Sequence, residues 1–205
     1  MMNKEVIKQL LKSFVVISAA GVVIGLLRHH DALVAVLLAL FALERLWRTL
    51  KVLEYPYAFM LLLAGMILTG CAGVYGEEWG IANGYWAYHD LPDNREFPYW
   101  LPFAWALAFL YLYRVELAII KNLHLRSFRS KILIIAAVST FYPTWGEVVA
   151  INMGVWTYAW PYQLLGVPLL AILILTLFHT GMFILFWFIC KRYDIADPVW
   201  NKQRF

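Results

Sequence analysis

Apolar residues along this chain run almost continuously in six stretches, and polar or charged residues are concentrated between them. Each stretch is close to the roughly 20 residues that an α-helix needs to cross the hydrocarbon core of a bilayer. The pattern therefore predicts an all-α fold, a polytopic integral membrane bundle of about six transmembrane helices. We place the helices at residues 10–27, 32–50, 57–76, 98–120, 131–151 and 166–190.

The composition agrees with a membrane protein and argues against a soluble nucleic-acid-binding domain. Hydrophobic residues make up 63% of the chain and charged residues only 15%, against roughly 25% charged residues in soluble domains. The mean hydropathy is +0.68. Cys71 and Cys190 fall near opposite ends of their predicted helices, so we expect no disulfide between them.

Lysine and arginine are distributed unevenly between the two sides of the predicted bundle. All of the 17 basic residues except Arg28 and Arg95 fall in the N-terminus, the second and fourth connections and the C-terminal tail. The positive-inside rule assigns such loops to the cytoplasm. The sequence therefore predicts that both termini are cytoplasmic, in a bacterial inner membrane or an equivalent one.

A pattern of glutamate, glycine, tryptophan, tyrosine and proline occurs twice, with a constant offset of 70 residues. The shared pattern is G-E-x6-G-x-W-x-Y-x9-P. The matched positions are Gly76, Glu77, Gly84, Trp86, Tyr88 and Pro98 in the first copy, and Gly146, Glu147, Gly154, Trp156, Tyr158 and Pro168 in the second. Repetition at a fixed period indicates a duplicated structural unit.

Each copy of the repeat includes an even number of predicted helices, so both copies have the same orientation. The sequence thus predicts a parallel internal two-helix repeat, related by an axis along the membrane normal. We interpret residues 1–205 as one transmembrane domain. Its parts are an N-terminal helical hairpin (1–55), repeat A (57–120), repeat B (131–190) and a cytoplasmic tail (191–205).

Each copy places a glutamate at the end of an apolar run, with an aromatic cluster just beyond it. A carboxylic acid shielded from water keeps its proton more readily and can act as an acid. The faces of Trp and Tyr stabilise the carbocation that forms when an alkene is protonated. The candidate catalytic residues are Glu77, Glu78 and Glu147. The candidate substrate-binding residues are Trp79, Asn83, Trp86, Tyr88, Trp145, Asn152, Trp156, Tyr158 and His179.

Structural explanations exist for the same residues. Trp and Tyr at helix ends commonly form an interfacial belt, and Gly84 and Gly154 would permit tight turns. The outer segment of the first copy is acidic as a whole, with Glu77, Glu78, Asp90, Asp93 and Glu96. Within the bilayer we count only His179 and Glu147 as ionisable, and we expect them to lie too far apart in depth to be direct partners.

The two copies resemble two families of membrane carotenoid-biosynthesis proteins. The second copy, Glu147-x6-Gly154-x-Trp156-x-Tyr158 followed by Leu165-Gly166-Val167-Pro168-Leu169, resembles the lycopene cyclase domain of small bacterial, archaeal and fungal enzymes. The first copy is similar to carotenoid hydratases of the bacterioruberin type, through Glu78, Gly80, Gly84, Tyr88, Pro98, Pro102 and Trp105. The resemblance covers roughly residues 77–170.

The resemblance implies a polytopic protein that acts on C=C bonds of long isoprenoids by proton-initiated chemistry, without a redox cofactor. It implies that Glu147 is one acid and that either Glu77 or Glu78 is the other. The cyclases carry an acidic pair after the proline and leucine, whereas here Pro168-Leu169 continues into Leu170-Ala171. This departure favours a related reaction, or a member without catalysis, over lycopene cyclisation itself.

The sequence therefore favours a cofactor-independent cyclase, hydratase or isomerase of an isoprenoid or carotenoid-like lipid, with no metal. The expected partners are this lipid substrate and membrane lipids, and not nucleic acid. The first alternative is a non-catalytic lipid- or pigment-binding membrane protein, or a subunit of a larger membrane complex; an oligomer is also open. The second is a small transporter, which the few intramembrane ionisable residues do not favour.

Overall fold

The structure, a computed structural model, describes residues 4–52, 56–92 and 95–201. Within these residues the chain forms six α-helices and four strands of two or three residues. The helices are α1 (Lys4–Leu26), α2 (Asp31–Val52), α3 (Pro56–Ala82), α4 (Leu101–Asn122), α5 (Phe128–Asn152) and α6 (Leu169–Arg192). The strands are β1 (Trp86–Tyr88), β2 (Trp156–Tyr158), β3 (Gln163–Leu164) and β4 (Val167–Pro168). The predicted helical fold is confirmed, and the strands are additions to it.

Five of the described helices are long and apolar enough to cross a membrane. They are α1, residues Phe59–Ala82 of α3, α4, α5 and α6. The second helix, α2, is not one of them, and its C-terminal half carries Glu44, which pairs with Arg45 and Arg48. A sixth span over residues 32–50 stays a prediction.

Helix α3 is longer than the sequence indicates. The prediction that it ends at residue 76 is wrong, because the helix continues for six further residues to Ala82. The chain leaves the helix only where Gly84 adopts a positive φ of 69°. Glu77 and Glu78 therefore lie on the last turns of a helix and not in a loop.

The helices pack mainly in sequential pairs, α3 with α4 and α5 with α6. Helix α1 packs against α4 and α5, and α2 packs against α4. Between them lies a core of large apolar side chains. Its most buried members include Leu62, Phe109, Leu110, Ile135 and Phe186. Cys71 and Cys190 are free thiols, as expected.

A salt bridge fixes the start of α2 to the segment before α4. The Arg95 guanidinium donates two hydrogen bonds to the Asp31 carboxylate, at 2.6 and 2.9 Å, and the backbone N–H of Tyr99 donates a third. Bidentate geometry of this kind is the strong form of an ion pair. Asp93, part of the predicted acidic segment, lies outside the described residues.

After α6 the chain folds back into the end of the bundle. Asp197 Oδ1 accepts hydrogen bonds from the backbone N–H groups of Val199 and Trp200, and all three residues are buried. Lys131 Nζ donates to three backbone carbonyls of this turn. The packing of this segment, predicted only as a cytoplasmic tail (191–205), could not be predicted from the sequence, since a single buried turn carries no periodic signal. Lys202 and Arg204, used for the predicted topology, lie outside the described residues.

We expect Asp197→Ala to release this turn, because two backbone donors would lose their acceptor. The loss of such a cap costs about 1 to 2 kcal/mol of the free energy of unfolding. Hydrogen exchange of the Val199 and Trp200 amides should accelerate, and Asp197→Asn should retain most of the protection. The control is Asp194→Asn at an exposed position. Unchanged exchange in Asp197→Ala would contradict this account of the turn.

Candidate functional site

Helices α3 and α5 end in the same way. Gly84 and Gly154 have φ angles of +69° and +70°, and a Cβ at either position would meet open space. Each helix ends with the two hydrogen bonds of a Schellman motif. The longer of these bonds joins Tyr85 N to the Gly80 carbonyl in α3, and Val155 N to the Ala150 carbonyl in α5. The glycines are therefore needed for backbone conformation, as the structural explanation predicts.

Both helix ends send the chain into a short strand, and these two strands pair with each other. In the antiparallel register Trp86 lies opposite Tyr158, and Tyr88 lies opposite Trp156. His89 N and Ala159 N extend the hydrogen-bonded ladder at its two ends. The pairing joins the aromatic residues of the two sequence copies into one cluster.

Each strand supplies hydrogen-bond donors to the glutamate of its own copy. Trp86 Nε1 donates to Glu77 Oε2 at 2.7 Å. Trp156 Nε1 and the Tyr158 hydroxyl donate to Glu147 Oε2, at 3.1 and 2.8 Å. The Tyr88 hydroxyl and the Trp105 indole also lie near the Glu77 carboxylate. The carboxylates are thus held by indole and phenol donors.

The rings pack across the strand pair. The centroids of Trp86 and Tyr158 are 5.6 Å apart, and those of Tyr88 and Trp156 are 5.4 Å apart. Trp160 stacks on Tyr85 with a centroid separation of 4.5 Å. Edge and tilted contacts at these distances are favourable between aromatic rings. The result is a shared aromatic cluster that reaches both glutamates.

The electrostatics of the cluster are those of a site without a counter-cation. Within the described residues neither Glu77 nor Glu147 forms an ion pair. Burial, and then the Glu77 and Glu147 charges, raises the pKa of Tyr88 well above its usual range. Burial and the Glu147 charge do the same to the pKa of Tyr158. Both phenols therefore keep their protons and remain hydrogen-bond donors.

Glu78 lies on a different face of α3 from Glu77. It lines a groove of about 720 Å³ between α2, α3 and α4, in which all other lining residues are uncharged. Gly70, Val74 and Glu78 share this face at helical spacing, while Gly73, Glu77 and Gly80 face the aromatic side. The structure thus separates the two acids that the sequence left as alternatives.

The remaining predicted site residues are distributed over several places. Trp79 contacts Tyr85 and Trp160 at the edge of the cluster. Asn83 and Asn152 each donate to the carbonyl four residues earlier on their own helix. Neither of these two side-chain amides forms a hydrogen bond with Glu77 or Glu147 in the structure.

Two further predicted residues lie outside the aromatic cluster. Trp145 Nε1 donates to Ser18 Oγ of α1, at 2.9 Å. His179 Nε2 lies 2.7 Å from Glu116 Oε1. The count that gave only His179 and Glu147 as ionisable within the bilayer is wrong, because it omitted Glu116, which is buried within α4. A glutamate inside an apolar run was the signal available in the sequence.

Tyr85, Trp105 and Trp160 belong to the cluster although they were not among the predicted site residues. Trp105 packs over Gly73 and reaches Glu77 from α4, a contact between positions far apart in the chain. Within the described residues no group of three His, Cys, Asp or Glu side chains is arranged to hold a metal ion.

No family model, no curated protein and no solved structure matches this chain. The resemblance to carotenoid-biosynthesis proteins therefore stays a prediction.

Gly80 offers a direct test of the packing beneath Trp86. A Cβ at this position would overlap the Trp86 ring, so Gly80→Ala should displace the indole from Glu77 and lower the free energy of unfolding by about 1 to 3 kcal/mol. The matched control is Gly76→Ala, one turn earlier, where a Cβ meets open space and alanine should favour the helix by up to about 1 kcal/mol. Equilibrium unfolding in mixed micelles checks both. Equal stability of the two variants would contradict the packing described.

Proposed function

We propose that this protein is a membrane enzyme that acts on C=C bonds of an isoprenoid or carotenoid-like lipid by carboxylate proton transfer, without a cofactor. The reaction class is cyclisation, hydration or isomerisation. Glu77 and Glu147 are the proposed catalytic acids, and the aromatic cluster around β1 and β2 is the proposed binding surface. The hydrophobic lipid reaches the site from the surrounding membrane.

One observation carries this proposal: two carboxyl groups without a cation partner in the described chain are joined through a single aromatic cluster. Burying a carboxylate away from water without an ion pair is costly. Indole and phenol donors reduce that cost without fixing the carboxyl group in its charged state, as a Lys or Arg partner would. Such a group can carry a proton and release it.

The proposed reaction begins when one glutamic acid transfers its proton to a C=C carbon of the lipid. The π electrons form the new C–H bond, and the adjacent carbon becomes a carbocation. The Trp86 and Trp156 rings, whose indole N–H groups donate to the two glutamates, are the proposed groups that stabilise this charge. The glutamate that has lost its proton is stabilised by its Trp and Tyr donors.

The second glutamate completes the reaction. If it removes a proton from a neighbouring carbon, the product is an isomer of the substrate, or a ring when a second double bond has attacked the cation first. If it accepts a proton from a water molecule that attacks the cation, the product is an alcohol. In each case the enzyme begins and ends with one proton on the pair of acids.

The matched contacts support a parallel internal repeat as the framework of the site. Trp86 of the first copy contacts Tyr158 of the second, and the matched residues, Trp156 of the second copy and Tyr88 of the first, contact each other in the same way. The hydrogen bond from Trp86 to Glu77 likewise has its match in the bond from Trp156 to Glu147. These relations fit a two-fold axis that runs between the strands, along the membrane normal.

We further propose six membrane spans, with α2 as the sixth, and both termini on the cytoplasmic side of a bacterial inner membrane or an equivalent one. The support is the distribution of lysine and arginine, which follows the positive-inside rule. The candidate site would then lie at the outer face, where β1 and β2 meet.

A non-catalytic lipid- or pigment-binding protein, alone or in a larger complex, is the second candidate. The groove between α2, α3 and α4 favours it, because its apolar walls and about 720 Å³ suit an extended lipid chain. In this alternative the glutamates only hold the strand pair in place.

Mass spectrometry of copurified lipids distinguishes the two candidates. We expect Glu77→Gln and Glu147→Gln to lower turnover on the order of a hundredfold or more, since proton transfer by a positioned group contributes that much. A long isoprenoid should then accumulate in the variants, with its cyclised, hydrated or isomerised form in the wild-type protein.

Glu96→Gln is the matched control, because this exposed glutamate lies outside the cluster. It should show the wild-type lipid profile. Glu78→Gln tests separately whether the groove between α2, α3 and α4 takes part in lipid binding. The same intact isoprenoid in the wild-type protein and both cluster variants would favour the binding protein. Ordinary phospholipids alone in every sample would contradict the isoprenoid enzyme and would agree with a protein that binds membrane lipids.

A further inference from the structure

The groove between α2, α3 and α4 is a place for a ligand apart from the aromatic cluster. Its volume of about 720 Å³ is within the range of pockets that hold small molecules. Its lining residues on α3 run from Leu63 to Glu78, which is about 22 Å along a helix. Half of the hydrocarbon core of a bilayer is only about 15 Å thick. The groove therefore suits one long chain better than a short or globular ligand.

Small residues give the groove its depth. Gly70 of α3 lies against α4, where a Cβ would be 3.1 Å from the Pro102 carbonyl oxygen and 3.8 Å from the Ala106 Cβ. In the second copy of the repeat the positions matched to Gly70 and Ala106 are Thr140 and Thr176. The hydroxyl oxygens of these two threonines are 2.9 Å apart. The first copy therefore leaves space where the second has a bonded pair of side chains.

The polar groups of the groove lie at one end of it. Tyr75 and Glu78 both line the groove, and they are three residues apart on the same side of α3. Both side chains are exposed, and Glu78 forms no ion pair within the described residues. The other lining residues are apolar, apart from the Cys71 thiol. A ligand with one polar end would place that end at Glu78 and its chain towards Leu63.

The repeat shows that the shared framework does not require a carboxylate at this place. The offset of 70 residues relates Glu78 to Val148, which packs in a buried apolar cluster. It relates Tyr75 to Trp145, whose indole N–H donates to the Ser18 hydroxyl at 2.9 Å. A hydrogen-bond donor at this position of the repeat therefore already has a hydroxyl as its partner in the second copy.

The pair of Glu78 and Tyr75 favours a hydroxyl over the other common lipid head groups. A carboxylate accepts hydrogen bonds, and a phenol can donate one. An alcohol both donates and accepts, so it can bond to both side chains, whereas an ammonium group can only donate. A phosphate would lie beside a carboxylate of the same sign, which is unfavourable. The end of the groove therefore suits a neutral alcohol better than a phospholipid head group.

We propose that the groove between α2, α3 and α4 binds one molecule of a long-chain alcohol. The hydroxyl of the alcohol donates to Glu78 and accepts from the Tyr75 hydroxyl, and its chain lies along α3 towards Leu63. No covalent bond forms or breaks at this site. Because the groove is separate from Glu77 and Glu147, the proposal holds whether or not these two acids catalyse the proposed reaction.

Cys71 provides a direct measure of occupancy. The chain has two cysteines, of which Cys71 is exposed and lines the groove, while Cys190 is buried. The experiment follows the modification of Cys71 by a membrane-permeant maleimide, by intact-mass spectrometry, on the full chain in phosphatidylcholine nanodiscs. Geranylgeraniol is the probe. At about ten times its Kd the rate should fall on the order of tenfold, because only the unoccupied protein reacts. No decrease at any loading of the alcohol would overturn the proposal.

Two analogues of the probe test the recognition of the hydroxyl. Geranylgeranyl methyl ether keeps the chain but has no O–H to donate to Glu78, and geranylgeranyl phosphate places a negative charge beside this carboxylate. We expect both to protect Cys71 much less than the alcohol does. Equal protection by either analogue would overturn the proposal, because the groove would then hold any chain that dissolves in the membrane.

Substitutions at the polar end test the two side chains. Glu78→Leu removes the acceptor, so the Kd of the alcohol should rise on the order of tenfold, as expected for a hydrogen bond to a charged group. Tyr75→Phe removes only a hydroxyl, and its effect should be smaller. Tyr162→Phe is the control, because this exposed tyrosine lies outside the groove. Each variant is compared with its own rate without alcohol. A wild-type Kd in Glu78→Leu would overturn the proposal.

A substitution on α2 tests the groove independently of its polar end. Ala39 lines the groove, so Ala39→Leu should fill part of it and abolish the protection of Cys71 by the alcohol. The matched control is Ala32→Leu, at an exposed position of the same helix that does not line the groove. This pair still tests the proposal if the Glu78 variant does not fold. Protection of wild-type strength in Ala39→Leu would overturn it.

Discussion

The structure depends on how two carboxylates are accommodated at the ends of apolar helices. Because neither carboxylate forms an ion pair with any residue that the structure describes, each needs neutral donors held at hydrogen-bond distance. The chain supplies them by ending α3 and α5 at a glycine with positive φ and returning a strand past the glutamate. Because the two strands pair with each other, the donors of one half are fixed by the other. The aromatic cluster, the helix ends and the repeat therefore form one unit.

Much of this arrangement could be predicted from the sequence, because it leaves local signals. The apolar lengths predict the helices, and the repeated Glu, Gly, Trp and Tyr identify Glu77 and Glu147 together with their donors. Pairing of β1 with β2 could not be predicted, since three residues carry no usable alternation. The contact of Trp105 with Glu77 could not be predicted either, because these residues lie on different helices, α4 and α3. Which faces the two helices turn towards each other is set by packing, here by the Trp105 ring against Gly73.

The two halves share a framework but differ in its interior. At the aromatic cluster the matched positions carry the same residues, whereas deeper in the bundle Phe109 of repeat A matches His179 of repeat B, and Glu116 of repeat A matches Phe186 of repeat B. Glu116 was not among the predicted site residues, because it is a single carboxylate within the apolar run that forms α4.

In the proposed reaction, Glu77 and Glu147 move protons to and from carbon. The most direct measurement is to supply acyclic carotenoids and polyprenyl lipids to the protein in deuterated water and to locate deuterium in the products by mass spectrometry. We expect a carbon-bound deuterium in the wild-type product and its loss in Glu77→Gln and Glu147→Gln. Wild-type products without carbon-bound deuterium would contradict the proposed reaction. Deuterium incorporation in both variants equal to that of the wild-type protein would also contradict it.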